Sequence, residues 1–202
     1  SGGTLTVSST LLECTYGSIT MPARSYASVT IINNDGGVGC SVTPAAGTVT
    51  LTGGLFMTAG NTDSVTFAAA TNNPTVTIGS GVSYFGAGAA MVITSGTGTW
   101  TVTGNFILTN GTYTATSGNT VVMDGTSNLV GAGQTLYNLT INGSGNTVTV
   151  TTSDVTVSNI LSIGGAADGN NDTLSIASGR TLTSGTGGTI TIHGSGTDTI
   201  SG

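Results

Sequence analysis

Residues 134–163, QTLYNLTINGSGNTVTVTTSDVTVSNILSI, carry the pattern that decides the fold. Three short runs in it alternate apolar and polar residues, at 136–141, 147–151 and 155–157, and a fourth begins at Leu161. Asn, Gly, Ser or Asp separates each run from the next, which is typical of short strands joined by tight turns. Such strands fit the coils of a β-solenoid or the strands of a compact β-sandwich.

The same pattern recurs through the C-terminal half of the chain. Comparing 138–141, 160–163 and 189–192 gives repeat distances of roughly 22–29 residues, with three short runs in each repeat. A three-sided coil of this length buries its apolar side chains on the next coil. We therefore predict a β-solenoid over residues 98–202.

The N-terminal part has a different texture. About seven short runs lie between residues 13 and 97, separated by turn signals such as the Asn-Asn-Asp-Gly-Gly sequence at 33–37. Their spacing of roughly 8–12 residues is typical of a β-sandwich. We predict an all-β protein with a β-sandwich over 13–97 followed by the solenoid. One continuous solenoid, or a single β-rich pilin-like domain, is the alternative.

Residues 1–12 precede the predicted sandwich and read as an edge-type strand. This strand could pair within its own domain or be donated to a neighbouring subunit. The residues predicted to form it are Thr4, Leu5, Thr6, Val7, Leu11 and Leu12.

The composition excludes several classes of partner. Only 5% of the 202 residues are charged, the formal net charge is −6, and the basic residues are Arg24 and Arg180. Nucleic-acid binding needs clustered Lys and Arg, so we expect no nucleic-acid partner. No apolar run approaches the roughly 18–20 residues of a membrane helix, so no membrane insertion is expected. We read Ser1 as the start of a mature, secreted, cell-surface chain.

Cys14 and Cys40 are the only cysteines. In an extracellular chain an even number of cysteines favours a disulfide, here expected to stabilise the fold by about 3–4 kcal/mol. Two buried free thiols are the alternative.

Residues that could perform catalysis are scarce. His193 is the only histidine, with Asp198 nearby, and nothing around them resembles a nucleophile elbow. Most of the acidic residues lie in turns beside Gly or Asn, where Asx turns explain them. We predict that the chain is not an enzyme.

One loop resembles the beginning of a calcium-binding loop. Asp168, Asn170 and Asp172 place oxygen ligands at alternate positions, but no bidentate Glu follows and the twelfth position is Gly179. We treat this loop as a weak Ca²⁺ candidate, with an ordinary polar turn as the alternative interpretation, and we predict no other cofactor.

Two further patterns suggest modification or surface binding. Four Asn-x-Ser/Thr sequons are weak glycosylation candidates, at Asn110, Asn138, Asn142 and Asn171. Thr-x-Thr pairs at 147–149, 181–183 and 189–191 would, if stacked, form the type of surface that ice-binding solenoids present. Their uneven spacing favours the simpler interpretation that Thr fills the solvent face of strands.

Two segments resemble bacterial surface proteins. The residues Gly17-Ser18-Ile19-Thr20, Asp35-Gly36, Val42-Thr43-Pro44-Ala45-Ala46-Gly47-Thr48-Val49 and Ala89-Ala90-Met91-Val92 resemble fimbrial major subunits, over roughly residues 12–95. That resemblance implies a secreted sandwich and pilus-type assembly, and it supplies no catalytic residues. Residues 112–116 through 137–142 resemble the repeats of adhesins with β-solenoid passengers.

The remaining alternatives for assembly are non-covalent. Residues 1–30 hold no long apolar helix of the type IV pilin kind, and without Lys the chain cannot form sortase-type polymers or internal isopeptide bonds. Open strand edges with few charges to block them are prone to association. We predict a homopolymeric extracellular filament or pilus, built by strand donation or head-to-tail β stacking. A monomeric adhesin or stalk that binds an unidentified surface ligand is the alternative.

Overall fold

The structure is a computed structural model that describes residues 12–13, 17–33, 39–60, 63–85, 90–164, 171–193 and 197–202. Its secondary structure is almost entirely β. The strands are β1 (Leu12–Glu13), β2 (Gly17–Met21), β3 (Ser25–Tyr26), β4 (Val29–Asn33), β5 (Cys40–Pro44), β6 (Thr48–Leu51), β7 (Gly54–Ala59), β8 (Ser64–Ala68), β9 (Thr75–Ile78), β10 (Gly81–Phe85), β11 (Ala90–Thr94), β12 (Thr99–Val102), β13 (Asn105–Ile107), β14 (Thr112–Thr114), β15 (Thr120–Met123), β16 (Ser127–Val130), β17 (Thr135–Ile141), β18 (Thr147–Val150), β19 (Val155–Ile163), β20 (Thr173–Ile176), β21 (Leu182–Ser184), β22 (Thr189–Ile192) and β23 (Thr199–Ser201). A single 3₁₀ turn, Ala69–Thr71, is the helical element among the described residues.

These strands form three parallel sheets. The first sheet has the order β1-β4-β7-β10-β13-β16-β18-β20-β23, and the second has the order β14-β11-β8-β5-β2. The third sheet has the order β21-β19-β17-β15-β12-β9-β6-β3, and β22 also pairs with β19. Because nearly all consecutive strands lie in different sheets, the chain winds as a three-sided β-solenoid.

The structure does not show the β-sandwich predicted for residues 13–97. Strands of this part pair in parallel with the strand one coil away, as β2 does with β5 and β5 does with β8. Both the first and the third sheet continue across residue 97, because β10 pairs with β13 and β9 pairs with β12. The alternative of one continuous solenoid is therefore the architecture that fits.

Inward-facing residues stack on their equivalents in the next coil. Strands with a strict alternation of buried and partly buried positions, such as β4, send every second side chain inward. In-register parallel pairing then places apolar residues above one another along the axis. One such stack of buried residues in the third sheet is Leu51, Ile78, Val102, Met123, Ile141 and Ile163.

Aromatic side chains join the three sheets in the middle of the core. Trp100 meets Phe67 edge to face at 5.7 Å between ring centroids and meets Tyr113 at 6.2 Å. Phe106 meets Tyr113 at 5.6 Å, also edge to face. The Trp100 indole N–H donates to the carbonyl of Ser95 at 3.0 Å. This cluster packs residues from both sides of residue 97 into one core.

The last coils differ from the first ones at one corner. β17 and β19 run straight through the corner that separates the second and third sheets in earlier coils, and their pairing shifts register between Leu136 and Asn138. In the last coil the corner returns, because β21 pairs with the first part of β19 and β22 pairs with its second part. The strands β21, β22 and β23 therefore form the C-terminal end of the solenoid.

Candidate functional site

The C-terminal end of the solenoid exposes its apolar side chains. Ile190, Ile192 and Ile200 are 50%, 53% and 40% exposed. Their register partners one coil earlier are Leu161, Ile163 and Leu174, and all three of these are buried. The inward stacks of the core thus end on isoleucines that no described residue covers. We call β21, β22 and β23 together the open coil.

The opposite end of the described structure does not share this exposure. Ile19 and Met21, in β2 of the first coil, are both buried. The two ends of the solenoid therefore present different surfaces.

The predicted assembly strand falls almost wholly outside the described residues. Thr4, Leu5, Thr6, Val7 and Leu11 all lie outside them. Leu12 belongs to β1, whose backbone pairs in parallel with β4, with Leu12 opposite Ile31. Donation of this strand to another copy accordingly stays a prediction.

One exposed isoleucine lies elsewhere. Ile160 is 41% exposed and lies on the side wall of the third sheet, between Asn138 and Thr189 in register. It resembles the isoleucines of the open coil in size and exposure but does not face along the solenoid axis. It therefore offers a matched control position.

His193 and Asp198 do not form a hydrogen-bonded pair. Asp198 Oδ1 accepts the backbone N–H of Asp172 at 2.7 Å, and Asp198 Oδ2 has no hydrogen-bond partner. The backbone N–H of His193 donates to the carbonyl of Ile163 at 2.8 Å. The geometry of the described residues thus gives His193 no carboxylate orienter of the kind a catalytic triad requires.

The calcium loop predicted from the sequence is described only in part. Asp168 and Asn170 lie outside the described residues, and Asp172 is fully buried. Across the described part of the chain, no group of three or more His, Cys, Asp and Glu side chains comes together as a metal site.

The four predicted sequons differ in accessibility. Asn110 and Asn171 are exposed, whereas Asn138 and Asn142 are partly buried. The Asn138 amide is engaged on both sides, since it accepts from Asn159 Nδ2 at 2.8 Å and donates to Thr120 Oγ1 at 3.2 Å. Asn110 and Asn171 are consequently the more accessible acceptors, and glycosylation itself stays a prediction.

The three Thr-x-Thr pairs chosen from the sequence do not stack on one another. The pair at 147–149 lies on β18 of the first sheet, whereas Thr183 and the pair at 189–191 lie side by side along β19. A different set of Thr pairs does stack in register on the third sheet. The uneven spacing of the three predicted pairs did not reveal it. This set comprises Thr48 and Thr50, Thr75 and Thr77, and Thr99 and Thr101.

One of the two cysteines of the predicted disulfide lies outside the described residues. Cys40 is buried in β5, where its backbone pairs with Gly17, and Cys14 lies outside the described residues. The Cys14–Cys40 disulfide therefore stays a prediction. The structure also contains, among its described residues, no helix that is long and apolar enough to cross a membrane.

Stability is expected to fall at alkaline pH because of Tyr113. Its hydroxyl donates to Asn119 Oδ1 at 2.7 Å inside the core, and burial raises its pKa well above the ordinary value. The folded state thus holds this proton more tightly than the unfolded chain does, so the stabilisation is complete below about pH 10 and is lost as the pH rises further.

We expect the free energy of unfolding of the wild-type chain, measured by urea titration, to fall more steeply above about pH 10 than that of the Tyr113→Phe variant. The difference in slope should approach about 1.4 kcal/mol per pH unit, the value for one proton. Equal slopes for the two proteins would contradict this assignment.

Comparisons with protein-family models, with curated proteins and with solved structures found no match to this chain. The solenoid architecture is compatible with the adhesin-like repeats inferred from the sequence. No family match supports the fimbrial resemblance of residues 12–95.

Proposed function

We propose that this chain is a secreted structural subunit that stacks head to tail with copies of itself to form an extracellular filament. The observation that carries this proposal is the open coil, where Ile190, Ile192 and Ile200 are about half exposed at the end of otherwise buried stacks. The edges of the three strands of the open coil also present backbone N–H and C=O groups, and such edges are templates for further pairing.

The open coil by itself offers only a modest gain in free energy from the burial of apolar surface. Burying a large aliphatic side chain completely contributes about 1.5–3 kcal/mol, so completing the burial of three half-exposed isoleucines contributes about 2–4 kcal/mol. Association costs at least about 4 kcal/mol in lost freedom. A partner must therefore add apolar side chains of its own and continue the backbone ladders.

The N-terminal segment of a second copy has a suitable sequence. Thr4-Leu5-Thr6-Val7 has the same alternation as Thr189-Ile190-Thr191-Ile192 of β22. Parallel in-register pairing would place Leu5 on Ile190 and Val7 on Ile192. The incoming strand would then continue the third sheet with the same inward and outward faces.

The symmetry of this contact favours a filament. Because all ladders are parallel and the two ends differ, the joint is heterologous, and a heterologous contact that does not close on itself gives an open polymer. Only 5% of the residues are charged, so few charged side chains are available to block an open strand edge. We propose a mechanical role at the cell surface rather than catalysis.

Electron microscopy of concentrated protein tests this function. We expect unbranched fibres one subunit wide, and deletion of residues 1–12 should abolish them. Single short rods at every concentration would instead favour the monomeric adhesin or stalk.

A further inference from the structure

A column of polar residues runs along one corner of the C-terminal coils. Asn146, Asp172 and Asp198 occupy the same register position, each directly before a strand of the first sheet. Asp172 Oδ1 accepts the backbone N–H of Asn146 at 2.8 Å, and Asp198 Oδ1 accepts the backbone N–H of Asp172 at 2.7 Å. The two carboxylates therefore make the same hydrogen bond one coil apart.

The other oxygens at this corner have no donor. Asp172 Oδ2, Asp198 Oδ2 and Asn142 Oδ1 are buried atoms without a hydrogen-bond partner, and Asp172 as a whole is 0% exposed. A buried carboxylate oxygen without a partner costs free energy, and native structures normally satisfy such atoms with a donor, a water molecule or an ion. These three acceptors all need a positive or donating neighbour.

The neighbouring column contributes further oxygens. Asp124, Asn142, Gly164 and His193 occupy equivalent positions after their third-sheet strands. A side chain at Gly164 would collide with Asp198 Oδ2 and would lie 3.0 Å from the carbonyl oxygen of His193, so these two oxygens face the same space.

We propose that this corner binds a calcium ion between the last coils, with Asp172 Oδ2 and Asp198 Oδ2 as its charged ligands. Asn142 Oδ1 and the carbonyl oxygen of His193 supply neutral ligands of the type that calcium accepts. The site differs from the loop predicted from the sequence, because only Asp172 is common to both. Two carboxylates with neutral oxygens also agree with the lack of any cluster of three acidic, His or Cys side chains within the described ranges.

The coil spacing selects calcium over magnesium. Neighbouring strands lie about 4.7–4.9 Å apart, so equivalent oxygens one coil apart have roughly that separation. An ion midway between them would be about 2.4 Å from each, within the Ca²⁺–O range of about 2.3–2.6 Å and beyond the Mg²⁺–O range of about 2.0–2.1 Å. The ion would fasten the coil of β20 to the coil of β23.

Calcium titration of the full chain, after removal of metal with a chelator, tests this site. We expect Ca²⁺ at about 100 times its dissociation constant to raise the melting temperature by about 5–10 °C, and Mg²⁺ to raise it less. Calorimetric titration at 20 °C should show calcium binding, which Asp172→Asn and Asp198→Asn should weaken at least tenfold. Both variants keep an Oδ1 that can accept the existing backbone hydrogen bond.

Asp154→Asn is the matched control. Asp154 Oδ1 also accepts a backbone N–H one coil away, from Thr181 at 2.9 Å, but Asp154 lies at a different corner. This variant should retain wild-type calcium binding. The proposal is overturned if the wild-type chain binds no calcium at millimolar concentration, or if Asp172→Asn and Asp198→Asn retain wild-type affinity. Should either variant fail to fold, the wild-type calorimetry and the Ca²⁺ against Mg²⁺ comparison still decide.

Discussion

Replacing Ile190 and Ile192 with Asp is expected to raise the critical concentration for filament formation at least about 100-fold. Both side chains lie in the open coil, at the proposed joint, and are about half exposed in the isolated subunit. The double variant removes about 2–3 kcal/mol of apolar burial and places two carboxylates against the apolar residues of the incoming strand. Because each 1.4 kcal/mol is a factor of ten, the combined loss exceeds two decades.

This variant should leave the subunit itself folded, because the two positions lie at the end of the stack and pack on one side only. Pelleting assays across a concentration series measure the critical concentration, and circular dichroism reports the fold. Ile160→Asp is the control, since Ile160 has similar exposure on the side wall. Equal effects of the side-wall and end substitutions would show that the open coil is not the joint.

Truncating Trp100 to Ala is expected to lower the free energy of unfolding by about 3–5 kcal/mol. Trp100 is fully buried, contacts Phe67 and Tyr113 edge to face, and donates its indole N–H to the Ser95 carbonyl. The substitution leaves a large cavity and removes the donor from that carbonyl. Few other single changes in this chain remove as much buried surface.

The same variant tests whether the chain is one folding unit. Trp100 lies three residues beyond the boundary predicted from the sequence, yet its partner Phe67 lies on the other side of it. In urea unfolding of Trp100→Ala, the midpoints measured for the parts of the chain before and after residue 97 should shift together. Thr101→Ala, on the outer face, should change the free energy of unfolding by less than about 0.5 kcal/mol. A shift confined to the C-terminal half would contradict the continuous core.

The sequence was sufficient to predict the β class and the C-terminal solenoid. The predicted repeats at 138–141, 160–163 and 189–192 are confirmed as neighbouring rungs, since Leu139, Leu161 and Ile190 are register partners. Their period-two alternation and tight turns are local properties, and local properties can be read directly from the residues.

The sandwich was predicted wrongly because strand spacing does not encode strand direction. A coil of about 25 residues with three strands has the same 8–12-residue spacing as consecutive strands of a sandwich. What separates the two folds is the stacking of Val49 on Val76 and of Val76 on Trp100, one coil apart. That register involves coils of unequal length, so no constant period revealed it in the N-terminal half.

The two candidate sites could not be predicted from the sequence for a related reason. The exposure of Ile190 follows from its position in the last rung, because its alternating sequence is like that of buried strands. Asp172 and Asp198 are 26 residues apart in the sequence, and only their equivalent register positions bring them together. Position within the stack, rather than residue type, distinguishes both sites.

Helical reconstruction of the fibres by electron cryomicroscopy tests the head-to-tail stack most directly. The described residues contribute nine strands to the first sheet, and at about 4.7–4.9 Å for each strand the axial rise should be about 42–44 Å. We expect that rise, with β22 of one copy paired in parallel with residues 4–7 of the next and no break in the third sheet. Subunits that associate through their side walls, or an open coil left uncovered in the fibre, would contradict the account.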